Sequence, residues 1–290
     1  MWFRAIHSLH PTSSHLGLFQ DGQRHRAKNP RSVLITGASS GIGLELARIF
    51  AQHRHNLVLT ARDRDALLGL AAEFESRHGI TVTAISKDLS EPGAPDDLVA
   101  ELRRRSIHID MLVNNAGFGN SGRFDRCDVN SCIDLLQVNV VSLTHLTRLL
   151  LPAMVSRGFG KVLNMASVAA FVPGPLTACY NASKAFVVSF STALSHELRD
   201  TGVTVTAVCP GPTQTRFAER AGLTGTKAFS ENVMSAAEVA RASFDAMMLG
   251  KPIEIPGLRN KMRMLPLPLV PRAVLAHFSK KYHQKTEAEC

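Results

Sequence analysis

Long hydrophobic runs are missing from this chain. A clean apolar stretch such as Leu149-Leu150-Leu151-Pro152-Ala153-Met154-Val155 falls far short of the ~18 residues that cross a bilayer, which argues against a transmembrane helix. Cysteine is scarce and unpatterned. The five cysteines (Cys127, Cys132, Cys179, Cys209 and Cys290) show neither Cys-x-x-Cys pairing nor disulfide-framework spacing. An odd count without a secretory signal points to reduced thiols, so a cytoplasmic setting is expected; Cys179, next to Tyr180, reads as a packing thiol. None of the twelve histidines falls in His-Glu-x-x-His or a Cys/His pattern, so no metal site is expected. Acids are outnumbered, 24 against 33 Lys and Arg, for a net charge of +9. Much of the excess gathers at the ends, in Arg4, Arg24, Arg26, Lys28 and Arg31 and again in Lys280, Lys281 and Lys285. The one dense internal run, Arg103-Arg104-Arg105, closes an amphipathic helix, where cations suit the helix dipole. No nucleic-acid partner is implied, although a basic chain helps attract a polyanionic cofactor. Residues 1–30 contain a single acid, Asp21, and no apolar core of 7–15 residues, which excludes a secretory signal. A disordered extension and an organelle-targeting segment both remain open readings.

What is present is one α/β pattern. With 290 residues, 45% of them hydrophobic, the chain can bury a large single core. Short apolar segments at 32–35, 56–60, 81–85, 110–113, 161–166, 203–208 and 252–255 read as seven strands. Between them helices are expected to about Gln52, over 65–78, 95–105 and 131–157, and from Tyr180 to about Asp200. Strict alternation implies a doubly wound, Rossmann-like parallel sheet with helices on both faces. Ligands of such sheets bind beyond the carboxyl ends of the strands.

Two motifs fall there. Thr36-Gly37-Ala38-Ser39-Ser40-Gly41-Ile42-Gly43 follows the first strand and opens a helix. Its glycines allow a tight turn and close backbone approach to a pyrophosphate at a helix N-terminus. Downstream, Tyr180 and Lys184 are spaced i, i+4 and share a helix face. A nearby ammonium is expected to lower the phenol from its usual value of about 10, making it a general acid or base. Ser167, at the end of the fifth strand, can point at the same substrate oxygen.

These residues, with Asn114-Asn115-Ala116-Gly117, Asn139 and Pro210-Gly211 in order, resemble the short-chain dehydrogenases/reductases over roughly residues 31–257. That leaves 1–30 as an extension and 258–290 as a tail. The resemblance implies that Gly37, Ser39, Ser40, Gly41, Ile42 and Gly43 hold the dinucleotide pyrophosphate. It implies that Ser167 and Tyr180 bond a carbonyl oxygen, that Lys184 tunes Tyr180 and holds the nicotinamide ribose, and that Asn139 supports a water relay behind Lys184. Asn115, Ala116 and Gly117 would border the adenine side, Asp88 with Leu89 the adenine itself, and Pro210, Gly211 and Thr215 the nicotinamide. Cofactor choice turns on the end of the second strand. Ala61 stands where an NAD site needs a carboxylate, and Arg62 follows. A guanidinium there can neutralise a 2′-phosphate, so NADP(H) is expected, with Asp63 the one objection.

Apolar residues between Val168 and Cys179 (Phe171, Val172, Pro173, Pro175, Leu176) and between Pro212 and Ser235 (Phe217, Leu223, Phe229, Met234) suggest an acyl, steroid or ring ketone. Arg216 reads either as a solvated charge or as a contact for an acidic substrate tail. The tail carries Leu265, Leu267, Leu269, Val274 and Phe278 beside basic residues. It can dock on its own domain, on a neighbouring subunit or on a membrane surface. By resemblance the chain forms a homodimer or homotetramer, and apolar excess around Val138, Val141, Leu146, Leu149 and Leu150 supports this. The leading reading is an NADPH-dependent carbonyl reductase. The alternatives are a dinucleotide-binding redox sensor without turnover and a nucleotide-sugar epimerase or dehydratase using the same Tyr–Lys pair.

Overall fold

Alternate residues of each strand point to opposite faces, and here both faces are covered. Val33 and Ile35 pack with Leu46, Phe50, Leu67, Phe74 and Phe244 on one side. Leu34, between them, packs with Leu98, Leu102, Leu146 and Leu198 on the other. The computed structural model describes residues 30–230 and 233–284; the expectations for the N-terminal extension lie outside them.

The central strands are β1 (Ser32–Thr36), β2 (Asn56–Ala61), β3 (Val82–Ser86), β4 (Met111–Asn114), β5 (Gly160–Met165) and β6 (Val203–Val208). With β9 (Ile253–Glu254) they form one seven-stranded sheet in the order β3-β2-β1-β4-β5-β6-β9, every pairing parallel. The order reverses between β1 and β4, so a crevice opens beyond Thr36 and Asn114, where doubly wound sheets bind ligands. Covering helices are α1 (Gly41–Gln52), α2 (Arg64–His78), α3 (Ala94–Arg104), α4 (Val129–Ser156), α5 (Ala178–Glu197) and, after a short α6 (Phe217–Arg220), α7 (Ala236–Met248).

Several features depart from the expectations. A two-stranded parallel pair, β7 (Thr213–Gln214) with β8 (Met234–Ser235), is too short to leave a periodic signal. The long helix α4 contains a π-helical stretch, Gln137–Ser142. Its 28 residues are apolar and long enough to cross a membrane by length and composition, which counting uninterrupted runs did not detect. Its buried residues, among them Leu135, Val138, Leu146 and Met154, nonetheless make it a packing helix of this domain. Of the apolar excess expected on it, Val138 and Leu146 are buried and Leu149 and Leu150 pack half-buried on the core. Only Val141 is exposed, joined by Val129 and Ile133. The tail forms α8 (Leu258–Met264) and α9 (Arg272–His283).

Candidate active site

The glycine loop is tied to the end of β4 through Thr36. Its hydroxyl accepts from the amides of Asn115 (3.0 Å) and Ala116 (2.9 Å), and Asn115 Nδ2 donates back to the carbonyls of Thr36 (2.9 Å) and Gly37 (3.2 Å). Gly37 and Gly41 adopt φ of 66° and 58°, where a side chain is strained. Gly43 serves packing. A Cβ there would lie 2.3 Å from the Gly37 carbonyl oxygen and 2.4 Å from Asn115 Nδ2, so only glycine lets the loop and helix α1 pack this closely. Ser40 makes no side-chain cap at the start of α1, leaving first-turn amides to an anion.

A continuous cleft of about 1100 Å³ runs from this loop across the sheet's carboxyl edge. At one end, Arg62 is exposed, its guanidinium 3.8 Å from Asp88 Oδ2. Asp88 also accepts from the Ser90 amide (3.0 Å) and hydroxyl (2.8 Å), and Leu89 lines the wall beside it. Asp63 lines the same end, and one of its carboxylate oxygens caps α2 by accepting from the Ala66 amide at 3.0 Å.

At the other end stand Ser167, Tyr180 and Lys184. Ser167 caps a 3₁₀ turn (Val168–Phe171), accepting from the Ala169 amide at 3.1 Å. Tyr180 is half-buried at the cleft wall. Burial pushes its phenol up to about 12, against a smaller downward pull from its hydrogen bond with Ser167. The expectation that Lys184 lowers this phenol is therefore corrected. The ammonium lies 5.8 Å from the ring centroid and donates to the Met165 carbonyl at 2.8 Å, while desolvation takes Lys184 itself down to about 8. Asn139, a catalytic candidate by resemblance, is fully buried in the π-helical stretch and does not line the cleft. It clasps the Phe118 backbone, accepting from its amide (3.2 Å) and donating to its carbonyl (3.0 Å), and also donates to Ser183 Oγ (3.1 Å). Gly117 fits between: a Cβ there would meet Asn139 Oδ1 at 2.9 Å and Lys184 Nζ at 3.3 Å.

The remaining expected residues, Ala116, Pro210, Gly211 and Thr215, line the cleft too. Gly211 packs on Asn260, and Thr215 packs on Gly41. Of the expected apolar walls, Val172, Phe217, Leu223 and Phe229 reach the cleft, as does Arg216, and Phe217 lies against the Tyr180 ring with centroids 5.3 Å apart. Phe171 instead packs with Val187 and Cys209, and Met234 meets Asn260.

Sequence reasoning missed two anchors. Asn181 Nδ2 donates to the carbonyls of Ala169 (3.1 Å) and Val172 (3.0 Å), fastening the Ser167 turn to α5. Asn114 Nδ2 donates to Thr147 and Asn164, joining β4, α4 and β5. A polar residue beside a motif, here the Asn after Tyr180, was the available signal. It also missed a thiol cluster. Cys127 and Cys132 sulfurs lie 2.9 Å apart, and burial with Cys132 nearby pushes the Cys179 thiol up, a meeting of distant segments that no spacing encodes.

This combination of glycine loop, Asn-Asn-Ala-Gly turn and Ser–Tyr–Lys site on a doubly wound sheet defines a dinucleotide-binding oxidoreductase class. The chain matches the short chain dehydrogenase family over residues 31–224 and belongs to it. A short-chain dehydrogenase from Sphingobium yanoikuyae, solved in complex with NADPH, is 33% identical with a TM-score of 0.75, over 89% of this chain and 99% of its own. A bulky-bulky ketone specific alcohol dehydrogenase from Comamonas testosteroni is 29% identical with a TM-score of 0.72, over 91% and 98%. A very-long-chain 3-oxoacyl-CoA reductase from Pyrenophora tritici-repentis is 37% identical over 180 residues, 61% of this chain and 53% of that protein. The chain spans between 53% and 63% of the length of several such curated relatives.

Proposed function

We propose that the chain is an NADPH-dependent carbonyl reductase for ketones with a large apolar substituent. The observation that carries this is that Ser167, Tyr180 and Lys184 line one end of a cleft whose other end is the glycine loop, with Lys184 Nζ 5.8 Å from the Tyr180 ring centroid. With both residues on the cleft wall, a bound carbonyl oxygen can accept from both hydroxyls. At neutral pH a phenol raised to about 12 is protonated, so Tyr180 holds the proton it gives to the developing alkoxide. When bound, the reduced nicotinamide supplies the hydride. Lys184, fixed by the Met165 carbonyl, sits where it can bond the nicotinamide ribose. Phe217 and Phe229 wall the substrate side and exclude water from it.

The 2′-phosphate reading rests on Arg62 being exposed at the adenosine end while Asp63 is occupied as a helix cap. Asp63 also lines this end of the cleft, but Arg62 is the group there whose charge matches a 2′-phosphate. Among similar proteins, one was solved with NADPH and others are named for bulky ketones and 3-oxoacyl-CoA, in keeping with an apolar substrate. The test is consumption of NADPH and of NADH by the purified protein with 3-oxoacyl thioesters, steroid ketones and aryl ketones. Turnover with NADPH on at least one apolar ketone is expected. Tight dinucleotide binding with no turnover on any of them would overturn the proposal in favour of a sensor.

A further inference from the structure

The helix α8 is built inside out. Its polar Asn260 is buried and donates to the Pro256 carbonyl at 2.8 Å. Leu258 and Met262, one turn apart, are 73% and 61% exposed. Leu265, which caps the helix, and Leu269, in the 3₁₀ turn that follows, are 75% and 88% exposed. A chain folding only for itself would turn these four inward. Beside them on α9, Val274 and Phe278 are also exposed.

The charge around this apolar ridge has one sign. Residues 258–284 contain six Lys and Arg (Arg259, Lys261, Arg263, Arg272, Lys280 and Lys281) and no Asp or Glu. Lys261 is taken up by Glu254 at 2.7 Å, but Arg272, Lys280 and Lys281 are exposed. The same segment forms the lip of the cleft, to which Met264, Leu267, Leu275 and Phe278 contribute.

We propose that the α8–α9 ridge docks on an anionic lipid surface, with Leu258, Met262, Leu265 and Leu269 entering the interface and the flanking cations facing lipid headgroups. Exposed apolar side chains rimmed by cations match such a surface in both respects: burial in the acyl boundary and attraction to negative headgroups. A protein partner would need complementary acids as well as an apolar groove, and a second copy of this ridge would bring six cations against six. Docking there turns the mouth of the cleft toward the bilayer. The inference goes beyond the catalytic proposal and does not depend on it, because it is read by binding alone.

The experiment is flotation of the full chain with vesicles of phosphatidylcholine and phosphatidylserine in two-to-one proportion, beside pure phosphatidylcholine. Binding to the mixed vesicles that falls with added salt is expected, with little on the neutral ones. The double variant Leu265→Glu/Leu269→Glu, altering two exposed positions, is expected to lose binding at an unchanged melting temperature. Lys280→Ala with Arg272→Ala, removing two surface cations, should weaken it about thirtyfold. Absence of binding, or binding that survives both variants and so belongs to another part of the chain, would overturn the proposal. So would light scattering showing that Leu265→Glu/Leu269→Glu converts an oligomer to a monomer without lipid, since the ridge would then be an interface between copies.

Discussion

Gly117→Ala tests how closely the proton-handling residues are fitted together. The added carbon would sit 2.9 Å from Asn139 Oδ1 and 3.3 Å from Lys184 Nζ. The first distance is shorter than real contacts of that kind, so something must move. Asn139 cannot swing aside: it is fully buried in the π-helical stretch and held by three hydrogen bonds to Phe118 and Ser183. Breaking one leaves a buried polar group unsatisfied, at about 1–3 kcal/mol. For a domain of this size that is a fall in melting temperature of roughly 2–12 °C. Lys184 is the softer neighbour, and its displacement by even ~1 Å should lower kcat about 10²-fold. The assay pairs steady-state turnover on an apolar ketone with a thermal melt. Gly69→Ala in α2 is the control. Its added carbon meets nothing within 4 Å, so it should stabilise by about 1 kcal/mol and leave kcat alone. Wild-type turnover and melting in Gly117→Ala would show that the Asn139–Gly117–Lys184 fit is irrelevant to the chemistry.

Tyr180→Phe should lower kcat by about 10²–10⁴-fold while NADPH binding, followed by fluorescence, is retained; near-normal turnover would remove Tyr180 as the acid. Arg62→Ala should weaken NADPH by roughly 1.5–3 kcal/mol and leave NADH nearly unchanged, and equal losses for both would refute a 2′-phosphate contact. Burial lowers Lys184 to about 8, so the fold favours the neutral amine: carrying the charge destabilises the protein below about pH 8, and that penalty fades as pH climbs toward the ordinary lysine value. Lys184→Met should therefore melt higher than wild type at neutral pH, with the gap closing as pH rises above 8; a gap independent of pH contradicts this. The chain is expected to self-associate through the exposed Val129, Ile133 and Val141, and a monomeric mass by light scattering at micromolar concentration would refute it.

The sheet was legible because its strands are buried on both faces. Val33, Leu34 and Ile35 are all apolar and all buried, so a short unbroken run marks β1, while β3 and β6 are marked by their β-branched residues. The glycine loop and the Tyr–Lys spacing were legible because local geometry imposes them. Contacts between distant segments were not. The commitment of Asp63 to a helix cap depends on an amide three residues on, a signal present in the sequence but ambiguous beside a cofactor strand. The direction of the Tyr180 shift depends on desolvation by residues from several elements, and the i, i+4 rule registers only its lysine neighbour. The tail was read as apolar and basic, but which side chains face outward depends on Asn260 packing beneath Gly211, far upstream in sequence.

The π-helical stretch in α4 also sets the phase of everything after it. An α-helix turns about 100° per residue, and a π-bulge inserts one residue that does not advance the regular ladder. Before the stretch, the buried positions are Cys132 and Leu135; after it they are Leu143, Leu146, Thr147 and Met154. Rewinding the stretch as a regular α-helix with every residue kept would therefore turn the second set of side chains by about a quarter of a circle relative to the first. Thr147 would leave its bond with Asn114, and Leu146 and Met154 would leave the core. The bulge that seats Asn139 thus lets one continuous helix address two differently oriented neighbours, so a change there would be felt at the far end of α4.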